Sequence, residues 1–168
     1  MIKTVEPMLD EFQKECATTR RVLERVPEDK LTWKPHTKSM TLGALAMHIA
    51  TVPGGIAKLA EVDEFDVSQG NFNPPTPKSK AEIFTALDES VKNAEKCIAG
   101  MSDSRAQGNW CAKSKGRELF TMPRAELLRT IMLNHWYHHR GQLSVYLRLL
   151  DVPVPSIYGP SADDNPFI

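Results

Sequence analysis

Five histidines occur among the 168 residues, and their placement is the first chemical signal in the chain. His135 and His139 are four residues apart. A helix rises about 1.5 Å per residue, so two imidazoles at that spacing can converge on one ion. On a wheel centred at His135, with about 100° per residue, the stripe reads Arg124, Leu128, Ile131, His135, His139, Gln142, Tyr146 and Leu149. Both rings are therefore expected to interrupt a buried face and project inward. His48 lies about 70° from the centre of a second apolar face, where it can look toward a neighbouring helix. Three neutral imidazoles from two helices would make a one-sided divalent-metal site, with a coordination position left for water or substrate. Gln142, on the same side, is expected to hold a ligand or touch substrate. His36 sits in a connection that fixes no direction, and His138, about 60° off the line, is expected at a helix edge. Trp136 stands where an HExxH metalloprotease carries its catalytic Glu, which disfavours that mechanism.

Other chemistries are poorly served. No GxSxG elbow or GxGxxG turn occurs, and Gly54-Gly55 follow no strand, so a phosphate cradle is not expected. Cys16 and Cys97 fall on apolar helical faces and read as core residues. Cys111 has only Lys113 and Lys115 nearby to lower its pKa. With three cysteines and no CxxC, neither a disulfide framework nor a thiolate zinc site is indicated, and a reducing, cytoplasmic setting fits. Lys and Arg total 21 against 21 Asp and Glu, without a basic run, so no nucleic-acid partner is expected. Lys3, Glu6, Asp10 and Glu11 stand where a signal peptide needs an apolar core, and no membrane span is expected.

The elements that must position the histidines follow from the apolar spacing. Val5, Met8, Leu9, Phe12, Cys16, Thr19, Leu23 and Val26 draw one helical stripe, with Thr4 as its cap and Pro27 as its end. Residues 27–40 read as a connection with Leu31 and Trp33 tucked against the core. A second helix is expected from Thr41 along Leu42, Leu45, Ile49, Val52, Ile56 and Leu59, kinked at Pro53 one turn beyond His48. Residues 63–79, with Asn73-Pro74-Pro75, read as an exposed linker. A third helix spans 79–99 through Ala81, Phe84, Leu87, Val91, Ala94 and Ile98. A small hairpin about Lys115-Gly116 is expected near 110–122. The longest helix then runs from Pro123 to about Leu150. Four amphipathic helices with long connections predict an all-α, single-domain four-helix bundle over 1–168. Arg140, about 140° from His135, is expected in a surface or interhelix salt bridge.

Two stretches resemble the DinB superfamily, named for DNA-damage-inducible proteins. One is Val26-Pro27-Glu28-Asp29-Lys30-Leu31-Thr32-Trp33-Lys34-Pro35-His36 with Leu42-Gly43-Ala44-Leu45-Ala46-Met47-His48-Ile49. The other is His135-Trp136-Tyr137-His138-His139-Arg140-Gly141-Gln142-Leu143, continuing through Tyr146-Leu147-Arg148 to Val154 and Ser161. The resemblance implies a four-helix bundle in which His48, His135 and His139 bind a divalent metal, zinc or nickel, often within a homodimer. It also implies kinship with transferases and isomerases that use a low-molecular-weight thiol, such as bacillithiol or mycothiol. The expected activity is metal-assisted attack of a thiol or water on a small electrophilic substrate; the alternative is a non-catalytic stress-response metal-binding protein. The expected partners are a small-molecule substrate and a second copy of the chain. The fold carries the metal site better than it carries an activity.

Overall fold

The computed structural model describes residues 5–72 and 76–168. Thr4, expected as a cap, and Asn73-Pro74-Pro75 of the expected linker lie outside the described residues.

Helix α1 (Glu6–Glu24) starts after Val5 with Pro7 in its first turn, where a missing N–H costs nothing, and buries Met8, Phe12, Thr19, Val22 and Leu23. The connection after it is packed, because its carbonyls complete the start of the next helix. Trp33 O accepts from Leu42 N at 2.7 Å and Leu31 O from Gly43 N at 2.9 Å, while Thr41 Oγ1 accepts from Ala44 N at 3.1 Å. Three of the N–H groups that a helix start leaves orphaned are thus satisfied.

Helix α2 (Leu42–Ala60) continues through Pro53. Pro53 has no N–H for the carbonyl of Ile49, but the indole Nε1–H of Trp136 donates to that oxygen at 2.7 Å. Next to it, Gly54 N donates to Ser90 Oγ at 2.7 Å. A Cβ at Gly54 would lie 2.8 Å from Ser90 Cα, so glycine lets α2 and α3 approach this closely. By length and composition alone α2 is apolar enough to cross a membrane, but most of it is buried inside the protein, as in a core helix.

Strand β1 (Glu64–Asp66) lies in the stretch read as linker. Helix α3 (Lys80–Gly100) follows, its Ser79 cap accepting from Glu82 N while Glu82 accepts from Lys78 N. Its buried face is Ile83, Leu87, Ser90, Ala94, Cys97 and Ile98, rotated from the expected stripe; Ala81 is exposed. Helix α4 (Asp103–Gln107) is a short turn capped by Ser102. Strands β2 (Asn109–Ser114) and β3 (Arg117–Pro123) form the expected hairpin, and β1 adds to β2 in parallel, pairing Phe65 with Ala112. The turn places Lys115 at φ 51° and Gly116 at φ 75°. Asp66 accepts from both their amides, at 3.1 and 2.9 Å, so strand and hairpin are tied together.

The last helical stretch changes geometry twice: α5 (Arg124–Leu127), a π-helical run over Leu128–Asn134, and α6 (His135–Leu149). The fold is mostly helical with a small three-stranded sheet, so the all-α expectation holds only for the larger part. Helix α2 packs on α3 and α6, and α1 meets the same two. The core between them includes Phe12, Leu45, Ile49, Leu87, Ile98, Leu128 and Trp136.

Candidate metal centre

His48 on α2 and His135 and His139 on α6 converge, and all three are half-buried. His139 Nε2 stands 2.7 Å from His135 Nε2, and His48 Nε2 3.4 Å from His135 Nε2. The Trp136–Ile49 hydrogen bond fixes this meeting point, since it joins the residue after His135 to the residue after His48.

Protonation favours ligand character. Burial first, then the neighbouring imidazoles of His139 and His135, push His48 down to about 4. Burial also lowers His135, against the carbonyl of Ile131 and with help from the charge of His138. Burial lowers His139, against its bond to Gln142 and with help from His135 and His138. Near pH 7 the three rings are neutral and can offer lone pairs. Gln142 Oε1 lies 2.7 Å from His139 Nδ1, and a carbonyl oxygen accepts, which leaves the Nε2 lone pair of His139 facing inward. His135 Nδ1 is buried and faces the Ile131 carbonyl without closing a hydrogen bond of ordinary geometry.

Two Nε2 lone pairs 2.7 Å apart repel unless a proton or a cation lies between them. Nitrogens held about 2.0–2.1 Å from one tetrahedral ion stand about 3.3 Å from each other. The His48–His135 separation already has that value, and the His135–His139 pair needs to open by about half an ångström. The donor set fits a divalent ion that takes nitrogen ligands.

The remaining sequence candidates lie elsewhere. His36 is exposed, with Nδ1 accepting from Lys38 N at 3.2 Å. His138 is exposed beside His139, ring centroids 5.0 Å apart. Cys97 is buried and donates to Ala57 O, and burial raises the thiol pKa of Cys16 to about 12 and raises that of Cys97, so neither is a nucleophile.

The expected orientation of α6 needs correcting. Its buried face is Trp136, Arg140, Leu143 and Leu147, while Leu149 is exposed. A wheel of constant pitch fails across the π-helical run, where bonding from i to i+5 puts more residues in each turn. His135 and His139 therefore flank the core instead of pointing into it, and His135, with His48, lines a cleft of about 350 Å³. Val52, Ile56 and Leu59 of α2, with Phe65 of β1 and Phe72 beyond it, wall that cleft. Both phenylalanines belong to the stretch read as linker, where two isolated aromatics among polar residues were the only available signal.

A DinB family model matches residues 1–165. The chain belongs to the DinB family. Among DinB-like relatives of known structure, one from Bacillus cereus ATCC 10987 is 25% identical with a TM-score of 0.73, covering 94% of this chain and 100% of that one. The DinB-like protein YjoA of Bacillus subtilis, 18% identical with a TM-score of 0.69 over 90% of this chain and 96% of its own, shares the fold. Similar in sequence is the uncharacterized protein YrdA of Bacillus subtilis strain 168, 24% identical over 98% of this chain and 93% of that protein. The possible three-histidine metal centre of this DinB-family chain is drawn from its own geometry.

Proposed function

We propose that this DinB-family chain is a metal-dependent enzyme in which His48, His135 and His139 hold a divalent ion, zinc or nickel. Its reaction is attack of a low-molecular-weight thiol or water on a small electrophile lodged in the adjoining cleft. The observation that carries this reading is the convergence of three neutral imidazoles, two of which, His48 and His135, line a largely apolar cleft. A bound dication supplies charge that favours thiolate over thiol, or hydroxide over water, near neutral pH. The chain's own part is orientation and exclusion. Gln142 sets the tautomer of His139, the Trp136 bond locks α6 onto α2, and the apolar wall keeps bulk water away from one side.

The same reading includes a cytoplasmic four-helix bundle acting as a homodimer. Val145 and Leu149, each 57% exposed and one turn apart on α6, offer an apolar strip for such pairing. Sedimentation at micromolar concentration measures it, and a monomer there rejects that part.

A second reading, a non-catalytic metal-binding protein, draws on the absence of Asp, Glu, Lys or Tyr among the described residues lining the cleft, leaving no carboxylate, amine or phenol to move a proton. Native metal analysis combined with thiol-electrophile turnover separates the two. Stoichiometric metal with turnover that His135→Ala abolishes while the helical fold survives selects the enzyme; metal without turnover selects the binder; no metal rejects both.

A further inference from the structure

We infer that the cleft beside the imidazoles accepts the uncharged, apolar body of a small molecule, and that the substrate is a neutral electrophile of aromatic or hydrocarbon character. The inference names the substrate class of the site proposed above and rests on that reading only for the reacting end.

The cleft has the size of a small-ligand site, about 350 Å³. Among its described lining residues none carries Lys, Arg, Asp or Glu, and Val52, Ile56, Leu59, Phe65 and Phe72 supply most of the wall. The polar lining is partly committed: Thr51 Oγ1 donates to Met47 O at 2.9 Å. A carboxylate or phosphate entering there would give up water and find no cation, which is costly. The four arginines between Arg124 and Leu149 are engaged elsewhere, Arg124 with Asp63, Arg129 with Glu11, Arg140 with Glu15 and Arg148 with Asp163. Lys58 of α2 lies on another groove, beside Glu89 and Asn93. Among the described lining residues the titratable side chains are His48 and His135, so an apolar body lodged against Phe65 and Phe72 presents its polar end to them.

Gly55 is exposed on α2, where it borders both this cleft and the groove of Lys58. It lines the cleft, and a Cβ added there meets no atom within 4 Å. A larger residue there meets no clash, and a long side chain is within reach of the cleft wall.

The test uses full-length protein loaded with cobalt(II) and titrated with benzyl mercaptan or glutathione, followed by the thiolate-to-cobalt absorption band. Benzyl mercaptan is expected to bind at least tenfold more tightly than glutathione. Gly55→Leu is expected to weaken benzyl mercaptan at least tenfold, leaving cobalt stoichiometry and the affinity for 2-mercaptoethanol within twofold. Ile56→Trp is the second filling variant should Gly55→Leu not fold. Equal or tighter glutathione binding, or unchanged benzyl mercaptan affinity in the folded variant, overturns the inference. Failure to bind cobalt rejects the metal reading instead. The cleft is then probed in metal-free protein by saturation-transfer NMR: a benzyl alcohol signal absent for benzoate and lost in Gly55→Leu supports it, and no signal or an equal benzoate signal overturns it.

Discussion

At the scale of residues, the centre is two close nitrogen pairs and the groups that aim them. His48 and His135 bring their Nε2 atoms within 3.4 Å from different helices, and Gln142 turns His139 so that its lone pair joins them. Removing His135 leaves two ligands and no closed triad, and His135→Ala is expected to lower bound metal from stoichiometric to trace amounts in elemental analysis. Gln142→Ala keeps all three ligands and frees one ring, so zinc affinity in a chelator competition is expected to fall about 10–100-fold. An unchanged affinity in Gln142→Ala rejects its positioning role. The residue pattern that announced this site was real but coarse. The i, i+4 spacing put His135 and His139 together because both lie in regular α-helix, whereas the inward direction read from the wheel failed because the preceding seven residues are π-helical.

Between elements, a single carbonyl explains how α2 tolerates Pro53 and why α6 docks where it does. Trp136→Phe removes the donor to Ile49 O and strands a buried acceptor, at a cost of about 1–3 kcal/mol in denaturant unfolding. Pro53→Ala restores a backbone donor to the same oxygen, so it should recover part of that loss in the Trp136→Phe background; strict additivity would sink the argument. Adjacent glycines predict opposite signs. Gly54→Ala drives a Cβ into the α3 backbone and is expected to destabilise by about 1–3 kcal/mol. Gly55→Ala meets open space in a helix and is expected to stabilise by about 0.5–1 kcal/mol. In the sheet, hydrogen bonds from Ser68 and from the amides of Gly116 and Lys115 hold Asp66 down at about 2. Its folded pKa lies below the unfolded value, so its contribution is present above the usual carboxylate range and is lost as pH falls through the folded pKa near 2. A carboxyl NMR titration is expected to place its midpoint near 2, and Ser68→Ala to move it upward.

Across the whole molecule, two buried arginines join what the helices alone leave separate. Arg124 donates to the carbonyls of Ala60, Val62, Gly108 and Asn109 and pairs with Asp63, so it binds the end of α2 to the hairpin. Arg140, 1% exposed, pairs with Glu15, bonds Thr19 Oγ1 at 3.0 Å and lies between the rings of Tyr137 and Tyr158. Its interhelix salt bridge agrees with the sequence, but its burial does not match a surface pair. Tyr158 also donates to Glu15, so the proline-rich end is packed on α1 and α6. Arg140→Ala is expected to cost about 3–5 kcal/mol, since it leaves Glu15 mostly buried without its charge partner. A loss below about 1 kcal/mol in urea unfolding would show that Arg140 holds little.

The sequence by itself determined the long helices, the hairpin and the identities of the three histidines, because these depend on local periodicity, caps and turn residues within one or two turns of chain. The tertiary structure alone decided which side of α6 is buried, how β1 comes beside β2, and that Phe65 and Phe72 wall a cleft at the imidazoles. Those features arise from non-local pairing and from a change of helical pitch. A three-residue strand is too short to show a period, and its partner lies 47 residues away in sequence, as Glu64 opposite Cys111 shows. The three histidines were therefore legible in the chain, whereas the cleft beside them came only from packing.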